Sequence, residues 1–163
     1  MKIIINPKSS IPSTIFSFES DSNTILFSVL NNLDYNEFYM LDPLDIGYSI
    51  DGSICFTHCL SESKYWTIKK LVIPEYRVCD MRISIKDIIV PTPANSFEVN
   101  FDPDNRSVQI IFNNTTKSAP YYVSFAQNVI CGISDEIVTE MILIGLSENI
   151  VKEIIESRIE SGD

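Results

Sequence analysis

Isoleucine sets the first limit on this chain: 26 of its 163 residues are Ile, against nine Leu and three Ala. Branching at Cβ restricts χ1 in a helix and packs well on a pleated surface, whereas Ala and Leu are the strong helix formers. An all-helical bundle is therefore disfavoured, and strands are expected to dominate. Hydrophobic residues make up 45% of the chain and charged residues 21%, which is enough apolar surface to offset chain entropy. The length suits a single domain spanning 1–163, with no internal repeat, low-complexity tract or long linker to divide it.

Residues 2–6 read as a short first strand, three Ile ended by Asn6 and Pro7, because proline cannot donate to a ladder. Residues 14–18 make a second. Over 24–33, Ile25, Leu26, Val29, Leu30 and Leu33 recur at helical spacing behind Ser22 or Asn23, which predicts a helix. Residues 34–46 mix acids with aromatics around Pro43 and read as an irregular connection. Asp51-Gly52 predicts a tight hairpin between 47–50 and 53–58, with both turn residues at positive φ. Strands are expected over 65–73, 76–85 and 88–90, then a second hairpin of 97–101 and 107–112 around Asp102-Pro103-Asp104-Asn105. Residues 121–131 read as one long strand. Ser134, Asp135 and Glu136 have the pattern of a helix cap with acids in the first turn, followed by a stripe of Ile137, Val138, Met141 and Ile142 that stops at Gly145. Ser147 caps another helix, with Ile150, Val151, Ile154, Ile155 and Ile159 on one face. The expected fold class is α+β: an antiparallel, hairpin-rich sheet of roughly six to eight strands packed against a C-terminal helix pair.

Twelve Lys plus Arg against 22 Asp plus Glu give a net charge of −10. Such a surface repels phosphates, so no direct nucleic-acid partner and no anionic membrane is expected, while a basic protein is attracted from a distance. The charge is segregated along the chain. Between Lys8 and Lys64 there is no Lys or Arg, but there are Glu19, Asp21, Asp34, Glu37, Asp42, Asp45, Asp51 and Glu62. A second acidic run extends from Asp135 to the C-terminus, interrupted only by Lys152 and Arg158.

Four cysteines, Cys55, Cys59, Cys79 and Cys131, are too few and too scattered for a disulfide scaffold and suit a reducing compartment. Three Ile near the start fall short of an export signal, and no apolar run approaches the roughly 20 residues of a membrane helix, so a cytoplasmic location is expected. Cys55-Phe56-Thr57-His58-Cys59 is the one cluster with the look of metal ligands. On a strand, however, Cys55, Thr57 and Cys59 share one face and His58 takes the other, so no metal is expected. His58 is the sole histidine, and glycines stand only at 47, 52, 132, 145 and 162. No nucleophile elbow, phosphate loop or dinucleotide fingerprint exists. Neither a cofactor nor a catalytic residue is expected.

The expected partner-binding site is the cation-free segment that holds Asp34, Tyr35, Glu37, Tyr39, Asp42, Asp45 and Asp51. Aromatics supply anchors there, and carboxylates supply complementarity to a basic patch. Small, acidic, rich in Ile and Asn and without catalytic motifs, the chain resembles in overall character the immunity proteins of bacterial polymorphic-toxin and contact-dependent growth inhibition systems. The resemblance implies an inhibitor that binds a toxin's C-terminal domain, commonly a cationic nuclease, and occludes the surface that domain needs for its substrate. Two rival readings remain: a non-catalytic structural or regulatory module, such as a phage or secretion-system accessory, and a small hydrolase with an unrecognised site.

Overall fold

The computed structural model describes residues 3–30, 37–41, 44–59, 61–84, 97–112 and 120–160, with 37–41 described as backbone. The expected strand at 88–90 lies outside these residues. Strands β1 (Ile3–Pro7), β2 (Thr14–Glu19), β3 (Thr24–Val29), β4 (Glu37–Leu41), β5 (Leu44–Tyr48) and β6 (Ile54–Cys59) come first. They are followed by β7 (Thr67–Ile68), β8 (Arg77–Ile83), β9 (Phe97–Asp102), β10 (Ser107–Phe112), β11 (Tyr121–Ala126), β12 (Val129–Ser134) and β13 (Ile137–Leu143). Helix α1 (Glu148–Glu160) closes the described chain and is the one α-helix in it. A five-stranded sheet runs β2-β3-β6-β5-β4, and an eight-stranded sheet runs β1-β8-β11-β12-β13-β10-β9-β7. Both contribute to one apolar cluster, Ile25, Phe27, Ile46 and Cys59 from the first, Phe101, Ile110, Ile133 and Met141 from the second.

This is a mostly-sheet protein, not a sheet under a helix pair. Residues 134–144 form no helix, because Asp135 (φ 52) and Glu136 (φ 62) make a two-residue turn of the kind that joins hairpin strands, and β12 pairs antiparallel with β13 across it. The expected helix at 24–33 is also a strand, β3: Ile25, Phe27 and Val29 alternate into the core, and both its neighbours pair with it antiparallel. Residues 34–46 are not irregular throughout, since β4 pairs antiparallel with β5. The expected long strand at 121–131 folds back on itself at Gln127 and Asn128 (φ 65) into β11 and β12. Of the strand expected at 65–73, two residues pair as β7. Pairing is antiparallel except at β8–β11 and β7–β9, which are parallel.

Other expectations hold with adjusted detail. The β5–β6 hairpin forms at Asp51-Gly52, but Gly52 (φ 84) alone of the two has positive φ. Gly52 N–H donates to Ser49 O and Ser49 N–H to Ser53 O, each at 2.9 Å, so the loop has three residues and ends in a bulge. Gly52 also permits close approach, because a Cβ there would lie 2.4 Å from the Ile83 carbonyl oxygen. That contact, the Ile83 N–H to Gly52 O bond of 2.8 Å and the Ser53–Arg82 bridge fasten the five-stranded sheet to β8. Helix α1 has Ser147 as its cap, with Ile150 N–H donating to Oγ at 3.3 Å. It lies against β2 and the 3-10 turn Ser63–Tyr65. Ile150 and Ile154 are buried, whereas Ile155 and Ile159 of the expected stripe are exposed.

One irregular segment lies over the middle of the eight-stranded sheet, where β12 and β13 are buried on both faces. Leu71 N–H donates to Asp102 Oδ2 of β9 at 2.7 Å, while Glu75 and Tyr76 border a groove with Tyr121 and Tyr122 of β11, four strands away. Four inter-strand steps of about 4.8 Å make about 19 Å, close to the roughly 18 Å that five extended residues span, with the Asp102 side chain supplying the remainder. Residues 71–76 therefore cross the sheet as a strap. Asp102 and Asn100 alternate with the core residues Val99 and Phe101, so the strap lies on the face away from the main cluster. Leu71, Ile130 and Ile142 are buried there outside that cluster.

Candidate partner-binding surface

Every strand of the five-stranded sheet lies inside the interval from Lys8 to Lys64 that has neither Lys nor Arg. Charge segregation along the chain thus becomes segregation by layer. Register then divides the sheet cleanly. Leu44, Cys59 and Ile25 form one core-facing row, and Ile46, Thr57 and Phe27 another. The alternate rows, Asp45–His58–Leu26–Ser17 and Gly47–Phe56–Ser28–Ile15, make the outward face, with Thr24 and Glu19 paired beside them. Ile15 is 55% exposed. Gly47 leaves room for the Phe56 ring to lie over the strand, because a Cβ there would stand 2.2 Å from one of its carbons. An aromatic and aliphatic patch therefore sits beside carboxylates, with no cation from the sheet's own strands.

His58 is the centre of the polar half of this face. Its Nε2 is 2.7 Å from Thr24 Oγ1 and 3.4 Å from Glu19 Oε2. The Ser22 hydroxyl lies 2.6 Å from Thr24 Oγ1 and donates to Glu19 Oε2 at 3.3 Å, closing a ring through the β2–β3 turn. Asp45 stands opposite His58 on β5, with Oδ1 buried and without a hydrogen-bond partner among the described residues. Alternation puts His58 and Cys59 on opposite faces, as expected for a strand. Cys55 falls where the β5–β6 register slips.

The expected site residues do not gather in one loop. Asp34, Tyr35 and Asp42 lie outside the described residues. Glu37 and Tyr39 belong to edge strand β4, in register with Tyr48 and Ile46, and not to an irregular connection. Asp45 is on the outward face. Asp51 is at the other end of β5, where its Oδ2 accepts from Arg82 Nη1 at 2.8 Å and its Oδ1 accepts from Ser53 N–H at 3.1 Å. The Ser49 hydroxyl above all, then Ser53 and Arg82, hold the Asp51 carboxyl down at about 2. Arg82 also reaches Asp80 Oδ2 at 3.0 Å, so the charge of Asp51 is compensated within the molecule.

A second polar arrangement, on the strapped face of the eight-stranded sheet, had no signal in the sequence. Glu140 accepts from Tyr122 Oη at 2.7 Å and from Gln109 Nε2 at 2.6 Å, and Asn100 Nδ2 donates to Gln109 Oε1 at 3.3 Å. Gly132 makes the link possible, since a Cβ there would meet Glu140 Cγ at 2.7 Å and the Tyr122 ring at 3.2 Å. Burial, with help from Glu140, pushes the Tyr122 phenol up to about 12, which keeps it a donor. The helical reading of 134–144 hid Glu140 as one surface acid among several. Beside Tyr122 an open groove of about 690 Å³ is lined by Ile5, Tyr76, Arg77, Cys79 and Tyr121. All four cysteines are buried, and burial raises the thiols of Cys59 to about 12 and Cys79 to about 11, far from the thiolate a nucleophile needs.

No protein-family model and no curated protein matches this sequence. Among the described residues, no helix is long and apolar enough to cross a membrane.

Proposed function

We propose that this chain is a non-catalytic cytoplasmic binding protein of the immunity type, which neutralises a basic toxin domain, commonly a nuclease, by laying its five-stranded sheet over the surface that domain uses for its substrate. The observation that supports this reading is the confinement of a cation-free interval to one layer. Acids of one sign on one face steer a basic partner into encounter and fix its orientation. The apolar patch of Ile15, Leu26 and Phe56 adds the desolvated centre that carries affinity in protein interfaces. The binding surface is thus wider than the segment 34–51, and Asp51, engaged by Arg82, stands at its margin. Co-purification with the C-terminal domain of a toxin encoded immediately upstream tests the proposal. A one-to-one complex that abolishes the toxin's activity is expected. A toxin domain that remains fully active beside an equimolar amount of this protein would overturn it.

A further inference from the structure

We infer that the strap of residues 71–76 is a docking surface for a second copy of this chain, so that copies associate head to tail. This rests on the five-stranded sheet being the docking face, because the incoming copy seats that face on the strap. Exposed apolar surface collects there: Val72 is 86% exposed, and Ile73, Tyr76 and, near the start of β8, Val78 are exposed as well. Clustered apolar residues at the surface mark an interaction site, whereas single ones are ordinary. The same stretch is the basic part of an acidic chain, since Lys64 to Arg77 has four cations against one acid, Glu75. Lys70 is exposed and has no ion pair among the described residues. Lys69 reaches Glu98 at 3.7 Å with both side chains about half exposed, a pairing worth little in water.

The strap and the acidic face point in opposite directions. Both sheets meet at the shared core, and the strap lies beyond one while the acidic face lies beyond the other. Packed sheets stand about 10 Å apart and the Debye length at physiological ionic strength is about 8 Å, so each outer surface acts through its own charges and not through the net −10 of the chain. Lys69 and Lys70 with exposed aliphatic and aromatic side chains on one surface answer Glu19 and Asp45 with Ile15, Leu26 and Phe56 on the other. Pairing of like acidic faces would set carboxylate against carboxylate. An interface with unlike sides is heterologous and grows by addition of further copies. A strap of six residues suits a weak contact, at the end of the range below about 1,200 Å² in total, so a toxin domain displaces the copy and the site stays available.

Sedimentation equilibrium at concentrations up to about 1 mM, where contacts of millimolar Kd or tighter show, provides the test. Two variants are compared with the unmodified protein: Glu19→Lys with Asp21→Lys, which spoils the sheet, and Lys70→Glu with Val72→Glu, which spoils the strap at two exposed positions. The average mass of the unmodified protein should climb above that of the monomer with concentration, and each variant alone should stay a monomer. An equimolar mixture of the two variants should form a dimer and stop there, because one contributes the intact strap and the other the intact sheet. Circular dichroism checks the folds, with the single substitutions Glu19→Lys and Lys70→Glu in reserve. Association that survives in either variant alone, or a mixture that stays monomeric, overturns the inference. A short oligolysine peptide separates it from the docking face itself, since the peptide should bind the unmodified protein and drive it to monomers. A protein that never associates but binds oligolysine overturns the role of the strap alone. Absence of oligolysine binding overturns the docking face, and the inference with it.

Discussion

In the eight-stranded sheet, β12 and β13 are buried along almost their whole length, and the carboxylate of Glu140 is held there by Tyr122 and Gln109. In the five-stranded sheet, Glu19 and Asp45 stand on a face whose other members, Ile15, Leu26 and Phe56, remain partly or fully open to solvent. The difference is one of burial. Both oxygens of the Glu140 carboxylate accept a hydrogen bond, which makes it part of the scaffold, although Asn100 Oδ1 at the far end of the row is buried without a partner among the described residues. The outward face of the smaller sheet has unburied apolar surface, which a scaffold avoids and a docking face uses; buried polar atoms without a partner among the described residues occur in both sheets, Asp45 Oδ1 in the smaller and Asn100 Oδ1 and Ser107 Oγ in the larger. The strap of residues 71–76 deepens the contrast, because it covers one sheet and has no counterpart among the described residues on the other.

Paired substitutions can break this contrast, beginning with the largest effect. Phe101 is fully buried and meets Trp66 edge to face at 6.3 Å, so Phe101→Ala should cost about 3–5 kcal/mol in urea unfolding. Ile15→Ala, on the outward face, should change stability by less than about 0.5 kcal/mol. Similar losses from the two would mean that Ile15 packs against something. Next, Glu140→Ala leaves the Tyr122 hydroxyl and the Gln109 amide without their acceptor and should cost roughly 1–3 kcal/mol, whereas Glu19→Ala should be nearly neutral. A neutral Glu140→Ala would remove the carboxylate from the scaffold.

The smallest effect concerns acid. The carboxyl of Asp51 is depressed in the folded state, so its contribution is present above the ordinary value of 3.8 and is lost as the pH falls towards about 2. Asp51→Asn should therefore lower the melting temperature slightly at pH 6, and the gap from the unmodified protein should close between pH 4 and 2. The side chain is 42% exposed, which keeps the gap small. A gap that persists unchanged at pH 2 would show that the ionised carboxylate, with its bonds from Ser49 and Ser53 and its pairing with Arg82, is not its source.

What was legible in the residues follows from how local each signal is. Asp51-Gly52, the Asp102–Asn105 turn and the Ser147 cap announce themselves over a few positions, and β5–β6, β9–β10 and α1 stand where those signals place them. The elements missed were apolar runs whose spacing fits two structures. Ile25, Leu26 and Val29 match a helix, but Ile25, Phe27 and Val29 match a half-buried strand equally well, and pairing on both sides decides for the strand. β13 is buried on both faces and therefore has no alternation to read. Its turn was hidden for a different reason: Glu136 at φ 62 is a residue type that rarely adopts that conformation, so Asp135-Glu136 read as the acidic first turn of a helix. The site was legible as charge, through the gap between Lys8 and Lys64, but not as geometry. Only the β2-β3-β6-β5-β4 order shows that the gap fills one sheet and makes His58 and Glu19 neighbours.

Two charge reversals of equal size test most directly whether the cation-free sheet is the docking face. Glu19→Lys with Asp21→Lys changes the exposed end of β2 and its turn, and Glu153→Lys with Glu160→Lys changes the exposed side of α1 in the second acidic run. Both leave the same net charge, so any difference between them reports position alone. Oligolysine affinity at pH 7.5 should fall by on the order of tenfold in the first variant and by less than about twofold in the second. Equal losses, or the larger loss from α1, would contradict docking through the five-stranded sheet.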